Sequence, residues 1–200
     1  MNDWGKPIDG ETPLPDRSHL LQPSILTRHD LNVAEANNIE SATYKYLAAR
    51  PSKRLAPFTY EWVLRLHREM LGKVWDYAGQ VRTISLNFGV QPGLVPAQLM
   101  ELLEDLQHWS TYKLPLVEQA TRLHYRTVHI HPFLNGNGRW SRMLANIWLA
   151  RHGHATVDWP AHLNTGRENP SRDEYLAAVR AADDGDFEPL LEMHLRYSRR

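Results

Sequence analysis

The densest chemistry in this sequence lies between His131 and Arg142, which reads His-Pro-Phe-Leu-Asn-Gly-Asn-Gly-Arg-Trp-Ser-Arg. His131 is a titratable base whose ordinary pKa lies near neutrality, so it can take a proton from a hydroxyl at physiological pH. Gly136 and Gly138 flank Asn137, and without Cβ atoms they let the loop curl and an anion approach the backbone N–H groups. Arg139 and Arg142 add fixed positive forks that match phosphate oxygens. A base beside such a cradle points to transfer of a phosphorus-containing group onto a hydroxyl. The Gly-Lys-Ser/Thr of a P-loop is absent, which excludes an ordinary P-loop kinase or ATPase.

Two helices must hold this loop. Val117, Ala120, Leu123 and Thr127 recur at helical spacing before it, and Met143, Leu144, Ile147 and Trp148 after it. The glycines then fall at the start of the second helix, where unpaired N–H groups and the positive end of the helix dipole favour an anion. Thr27 with Asp30 can cap an earlier helix, whose stripe Ile39, Ala42, Tyr46 and Ala49 runs to Pro51. Thr59 can cap another, with Trp62, Val63, Leu66 and Met70 inward and Gly72 at its end; His67 reads there as a partly exposed helical histidine. Pro96 suits a first helical turn before Leu99, Leu102, Leu103, Leu106 and Trp109, a core stripe. Ser171 with Glu174 forms a capping box before Tyr175, Leu176 and Val179. Asp186 can cap a last helix through Leu190, Leu191 and Leu195.

Between these helices, Thr83–Val95 alternates loosely (Ile84, Leu86, Phe88) but contains Gly89, Pro92 and Gly93. Pattern alone divides it evenly between a short β-hairpin and an irregular loop. Residues 1–23 are rich in proline and glycine and read as an extended arm, with one domain expected over 24–200. His124, His129 and His131 do not make a zinc pattern, since His129 leaves the face the other two share and no HExxH is present.

Composition narrows the partners. The 23 basic and 23 acidic side chains cancel, so charge gives no case for nucleic acid or an anionic membrane. The absence of cysteine excludes disulfides, thiolate metal sites and cysteine nucleophiles. Residues 1–10 hold no apolar signal core, and no run is long enough to span a bilayer. A cytoplasmic location is the expectation.

The loop resembles the Fic (Fido) motif, His-x-Phe-x-Asp/Glu-Gly-Asn-Gly-Arg-x-x-Arg, and seven of its eight defined positions agree. Trp75–Arg82 is similar to the family's Trp-Ala-Gly-x-x-Arg segment, and Tyr175 through Asp186 to its C-terminal helix pair. The chain looks closest to the group called mobile mystery protein B. The resemblance implies a mainly α Fic-type helical bundle with one small β-hairpin flap at Thr83–Val95, next to the loop. It implies transfer of AMP from ATP to a Ser, Thr or Tyr hydroxyl of a target protein, with His131 as base and Phe133 as loop anchor. Gly136, Asn137, Gly138, Arg139 and Arg142 would hold the phosphates, while Tyr175 and Asp183 are candidates for the nucleotide base. Asn135 stands where the family has the Asp or Glu that ligates Mg²⁺, so it is the candidate metal ligand. Alternatives implied by the same family are phosphotransfer with the nucleotide reversed, or a toxin–antitoxin type module with weak or no catalysis, accompanied by a helix-turn-helix partner protein. Family members often carry a Ser/Thr-x-x-x-Glu-Gly/Asn helix whose glutamate pairs with the second motif arginine. Leu31 precedes Glu35 and Ala36 precedes Glu40, so no intact inhibitory motif is expected within the chain.

Overall fold

The computed structural model describes residues 17–109, 111, 113–160, 163 and 170–198. Among them the chain is built of seven α-helices: α1 (Arg28–Leu47), α2 (Tyr60–Leu71), α3 (Val95–His108), α4 (Leu116–Ile130), α5 (Asn137–Arg151), α6 (Pro170–Asp183) and α7 (Glu188–Arg196). The helix starts follow local chemistry. Thr27 accepts from the Asp30 N–H while the Asp30 carboxylate takes the Thr27 N–H at 2.9 Å, a closed capping box for α1. The Thr59 hydroxyl accepts the Trp62 N–H at the head of α2.

The antiparallel pair α4–α5 forms the centre, with α1, α2 and α3 on one side and α6 and α7 on the other. Trp62, Trp75, Trp140 and Phe133 are each almost fully buried in one core with Leu66, Leu71 and Ile147. Burial of each large apolar side chain contributes roughly 1.5–3 kcal/mol, so the functional loop, which carries Phe133 and Trp140, is anchored by the core itself. A smaller cluster of Tyr125, Tyr175, Leu190 and Met193 seats α6 and α7 on α4.

One expectation changes here. Thr83–Val95 is an irregular loop ending in a 3₁₀ turn at Pro92–Leu94, and among the described residues the only β pairing is two isolated bridges, Leu20 with Trp75 and Val157 with Ser198. The physical reason is Arg82. Its guanidinium donates to the carbonyls of Ile84 (2.8 Å) and Val90, groups a hairpin would spend on strand pairing. The last described part of the expected arm is docked on the domain. The Leu21 N–H donates to the Val74 carbonyl at 2.9 Å and the Asp76 N–H to His19 at 3.1 Å, which stitches residues 19–21 to the segment after α2. Residues 1–16 of the expected arm lie outside the described residues.

Candidate active site

Helix α4 stops at His131, which adopts the left-handed conformation (φ 51°, ψ 61°). For a residue with a Cβ this costs on the order of 1–3 kcal/mol and persists only where neighbours enforce it. Arg82 is that neighbour. Its Nε donates to the His131 carbonyl at 2.6 Å, and its backbone N–H to the Pro132 carbonyl at 2.9 Å. His131 Nδ1 lies 3.3 Å from the Val128 carbonyl. A carbonyl only accepts, so Nδ1 carries the hydrogen and Nε2 the lone pair. Burial pushes the imidazole down to about 4, and the charge of Arg82 acts in the same direction. The ring is therefore neutral at pH 7 and able to accept a proton. Gly89 (φ +91°) packs so closely that a Cβ there would meet the His131 Cβ at 2.4 Å, and Phe88 lies 6.2 Å from the imidazole between ring centres. The irregular loop thus forms one wall beside the base.

Phe133 is wholly buried, stacked on His67 at 3.7 Å and edge-on to Trp140 at 4.9 Å. Asn137 is also buried. Its Oδ1 accepts the Phe133 N–H at 2.9 Å and its Nδ2 donates to the Phe133 carbonyl at 2.8 Å. Both ends of its amide are thereby spent on closing the loop, and what Asn137 can offer an anion is its backbone N–H. The loop turns at Gly136 (φ +80°), where a Cβ would lie 2.3 Å from Leu71, so only glycine fits. Asn135 Oδ1 accepts the Gly136 N–H at 2.6 Å and an Arg139 N–H at 3.3 Å. It occupies the place where two donors converge, as a phosphate oxygen would.

The two motif arginines have different settings. Arg139 forms a two-pronged ion pair with Glu35 of α1, at 2.6 and 3.1 Å. Glu35 is 3% exposed and also accepts the Trp75 indole N–H at 2.8 Å. The inhibitory pattern is absent as expected from Leu31 and Ala36, and the glutamate contact that α1 does make falls on the first motif arginine rather than the second. Arg142 is buried with its guanidinium 5.4 Å above the Tyr175 ring. Tyr175 is buried as well, its hydroxyl 3.0 Å from His124 Nε2, so it backs Arg142 from behind. Asp183 sits at the far end of α6, half-exposed, where its Oδ1 accepts the Tyr125 hydroxyl (2.9 Å) and pairs with His129 (3.0 Å). The structure thus brings His131, Asn135, Gly136, Gly138, Arg139 and Arg142 together around one turn, with Tyr175 behind it and Asp183 two residues' reach along α4 from the base. Arg139 and Arg142 also line an open groove of about 800 Å³ beside α1.

The donor set does not suit Mg²⁺ by itself. Asn135 offers a neutral oxygen already used by two N–H donors, next to a guanidinium, and the Glu35 carboxylate is spent on Arg139 and Trp75. Among the described residues no group of three or more His, Asp or Glu side chains converges as a metal site.

Residues 57–149, which include α2, the irregular loop and the whole motif, match the Fic/DOC family. The chain belongs to this family. It is 32% identical over 152 residues to "Protein adenylyltransferase fic-1" of Caenorhabditis elegans, covering 74% of this chain and 28% of that relative. It is 34% identical over 154 residues to "Protein adenylyltransferase Fic" of Drosophila grimshawi, covering 74% and 30%. The chain therefore spans under a third of the length of these relatives. Among solved structures, Fic-1 (aa134–508) from C. elegans superposes with a TM-score of 0.70 at 27% identity, covering 89% of this chain and 51% of that one. A Fic domain from Bartonella quintana with bound ADP shares the fold, with a TM-score of 0.66 at 18% identity over 96% and 92% of the two chains. Within this Fic chain, three residues that carry the site escape motif reading of the sequence: Glu35, His67 and the side-chain role of Arg82. Glu35 and His67 sit on the inward faces of their helices, which is the signal that could have found them; Arg82 lies in a loop and gives no such signal.

Proposed function

We propose that this Fic chain transfers AMP from ATP to a hydroxyl side chain of a protein. The observation that carries this reading is the His131 imidazole, whose Nδ1 faces the Val128 carbonyl and so leaves the lone pair on Nε2, fixed by Arg82 at the edge of an anion-binding turn. The relatives' name supplies the adenylyl group. In the step, the target Ser, Thr or Tyr oxygen gives its proton to His131 Nε2 and forms a bond to the α-phosphorus, while the bond from that phosphorus to the bridging oxygen breaks and pyrophosphate leaves. Backbone N–H groups of Gly136, Asn137 and Gly138 hold the phosphates with Arg139 and Arg142. Tyr175 serves by backing Arg142, and Asp183 offers a carboxylate to the nucleotide base. The Thr83–Val95 loop, beside the base, is the wall that a target segment meets. The resemblance to the mobile mystery protein B group adds a helix-turn-helix partner protein, and the cysteine-free composition a cytoplasmic setting. Incubation with cell extract and ATP labelled at the α- or the γ-phosphate decides the reaction. Label should pass to protein from the α position; label from γ would make the chain a phosphotransferase, and no label from either a binding module.

The metal follows from Asn135. Mg²⁺ should arrive with the nucleotide, held by phosphate oxygens and water, and titration calorimetry without nucleotide should show no tight site. Asn135→Asp replaces a neutral oxygen by a charged one at the same reach. Half-maximal transfer should then need several-fold less Mg²⁺. Unchanged Mg²⁺ dependence in that variant, or tight binding by the wild type alone, would remove position 135 from metal recruitment.

A further inference from the structure

His67 is a histidine where an apolar residue would fill the core at no desolvation cost. It is completely buried in α2, on the face that carries Val63, Leu66 and Met70, and it stacks on Phe133 with the rings 19° from parallel. Both ring nitrogens are engaged, each by a backbone group from a different segment. Nδ1 receives the Gly79 N–H at 2.9 Å, and Nε2 lies 3.0 Å from the Asn135 carbonyl. The partners fix the tautomer. An N–H only donates, so Nδ1 must hold the lone pair; a carbonyl only accepts, so Nε2 must hold the hydrogen. Protonation would set a second donor against the Gly79 N–H in a dry site, and burial indeed pushes the ring down to about 3.

The consequence lies on the other side of the Asn135–Gly136 peptide. That bond is trans, so its C=O and N–H point in opposite directions. With the carbonyl drawn toward α2, the Gly136 N–H must point away from it, to the spot it shares with Arg139 and where Asn135 Oδ1 now sits. Gly136 approaches the ring so closely that a Cβ there would lie 3.2 Å from Nε2. The Gly79 bond, in turn, ties the same ring to the segment that leads into Arg82, which holds His131.

We propose that His67 is a positioning residue of the phosphate cradle: its Nε2–H sets the orientation of the Asn135–Gly136 peptide, and its Nδ1 couples that peptide to the Gly79–Arg82 wall that holds the base. This rests on the nucleotidyl-transfer reading only in that a nucleotide's phosphates are what the turn binds. The two bonds can be separated by isostere. His67→Gln places an amide N–H near Nε2 and keeps the donor to Asn135. His67→Asn keeps an acceptor near Nδ1 for Gly79 and loses the reach to Asn135. His67→Phe keeps the ring and neither bond.

The probes are ADP and adenosine, measured by calorimetry on the purified chain, with circular dichroism and melting curves for folding. His67→Asn and His67→Phe should weaken ADP binding by about tenfold or more, the worth of one well-placed hydrogen bond, and leave adenosine binding unchanged. His67→Gln should recover most of the ADP affinity. A merely structural histidine would affect ADP and adenosine alike, or all three variants alike, and either result overturns the proposal. So does unchanged ADP affinity in a folded His67→Phe. If His67→Phe and His67→Asn do not fold, the comparison of His67→Gln with wild type on the same two probes decides: preserved ADP binding supports the donor role, and equal loss for both probes overturns it. Wild-type chain that binds no ADP removes the cradle and this proposal with it. Wild-type chain that binds ADP but transfers no label removes the transfer reading alone.

Discussion

His131→Ala should lower label transfer by roughly 10²–10⁴-fold, the usual contribution of a positioned general base, while fold and ADP binding persist. The side chain supplies the lone pair but little of the architecture. Its backbone keeps the bonds to Thr127 and Arg82 in the variant, and its side chain packs against the Gly89 loop at the rim of the site. The pH profile adds a second check. With the free-enzyme imidazole down at about 4, kcat/KM should stay flat from neutrality to about pH 5 and fall as pH nears 4. Stability supplies a third, with a definite sign. A folded-state value below the ordinary 6.5 means that the unfolded chain takes up the proton first. The neutral ring therefore contributes stability above pH 6.5 that is lost as pH falls through the folded value. His131→Ala should lose less melting temperature than wild type on acidification from pH 6.5 to 4. Full transfer by the alanine variant, or an acidic limb centred near 6.5, would remove His131 as the base in this form.

Much of this site is legible in the sequence, and what is not has identifiable causes. The motif and the helices on each side are legible because caps and apolar stripes agree: Thr27 with Asp30, Thr59 with Trp62, and the α4 and α5 stripes around the glycines. The Thr83–Val95 loop is not, because alternation in Ile84, Leu86 and Phe88 says where side chains point and nothing about where carbonyls go. A single side chain, Arg82, claims the Ile84 and Val90 carbonyls and decides the backbone. His67 illustrates a different failure. Its spacing from Val63 and Met70 puts it on the buried face, but the usual habit of histidine is partial exposure, and residue type outweighed position. The roles of Asn137 and Tyr175 show the limit of motif transfer. A motif names the residues of a loop; only the fold shows that the Asn137 amide closes the turn internally and that Tyr175 lies behind Arg142. Glu35 is the most consequential omission. Pattern matching passes over it because Leu31 and Ala36 stand at the flanking positions, yet a glutamate between the buried Leu31 and Asn38 on one helix face can only point inward. A buried carboxylate needs a partner, and Arg139 is the one within reach.

That pair leads to the other large expected effect. Arg139 cannot give its fork to Glu35 and to a nucleotide's outer phosphate at once, since Glu35 takes both prongs at 2.6 and 3.1 Å. A nucleotide must therefore break a buried, charge-assisted contact before it gains both prongs of the arginine, beyond the one N–H that now meets Asn135 Oδ1. Glu35→Gln removes the charge while keeping the shape and an oxygen for the Trp75 indole N–H. The competing contact is worth about 1.5–3 kcal/mol, so at low ATP the variant should transfer label roughly 10- to 100-fold faster than wild type. Glu35→Ala should also be faster, but less stable by about 1–3 kcal/mol, because it leaves the buried Trp75 N–H without an acceptor. Glu40, exposed one turn further along α1 and lining the same groove as Arg139, is the control; Glu40→Gln should change neither rate nor melting temperature. The gain in Glu35→Gln should also shrink as ATP approaches saturation, since the pair opposes binding rather than the chemical step. A folded Glu35→Gln chain no faster than wild type at low ATP would show that Arg139 is not what limits the reaction, and that the ion pair holds α1 against the motif for stability alone.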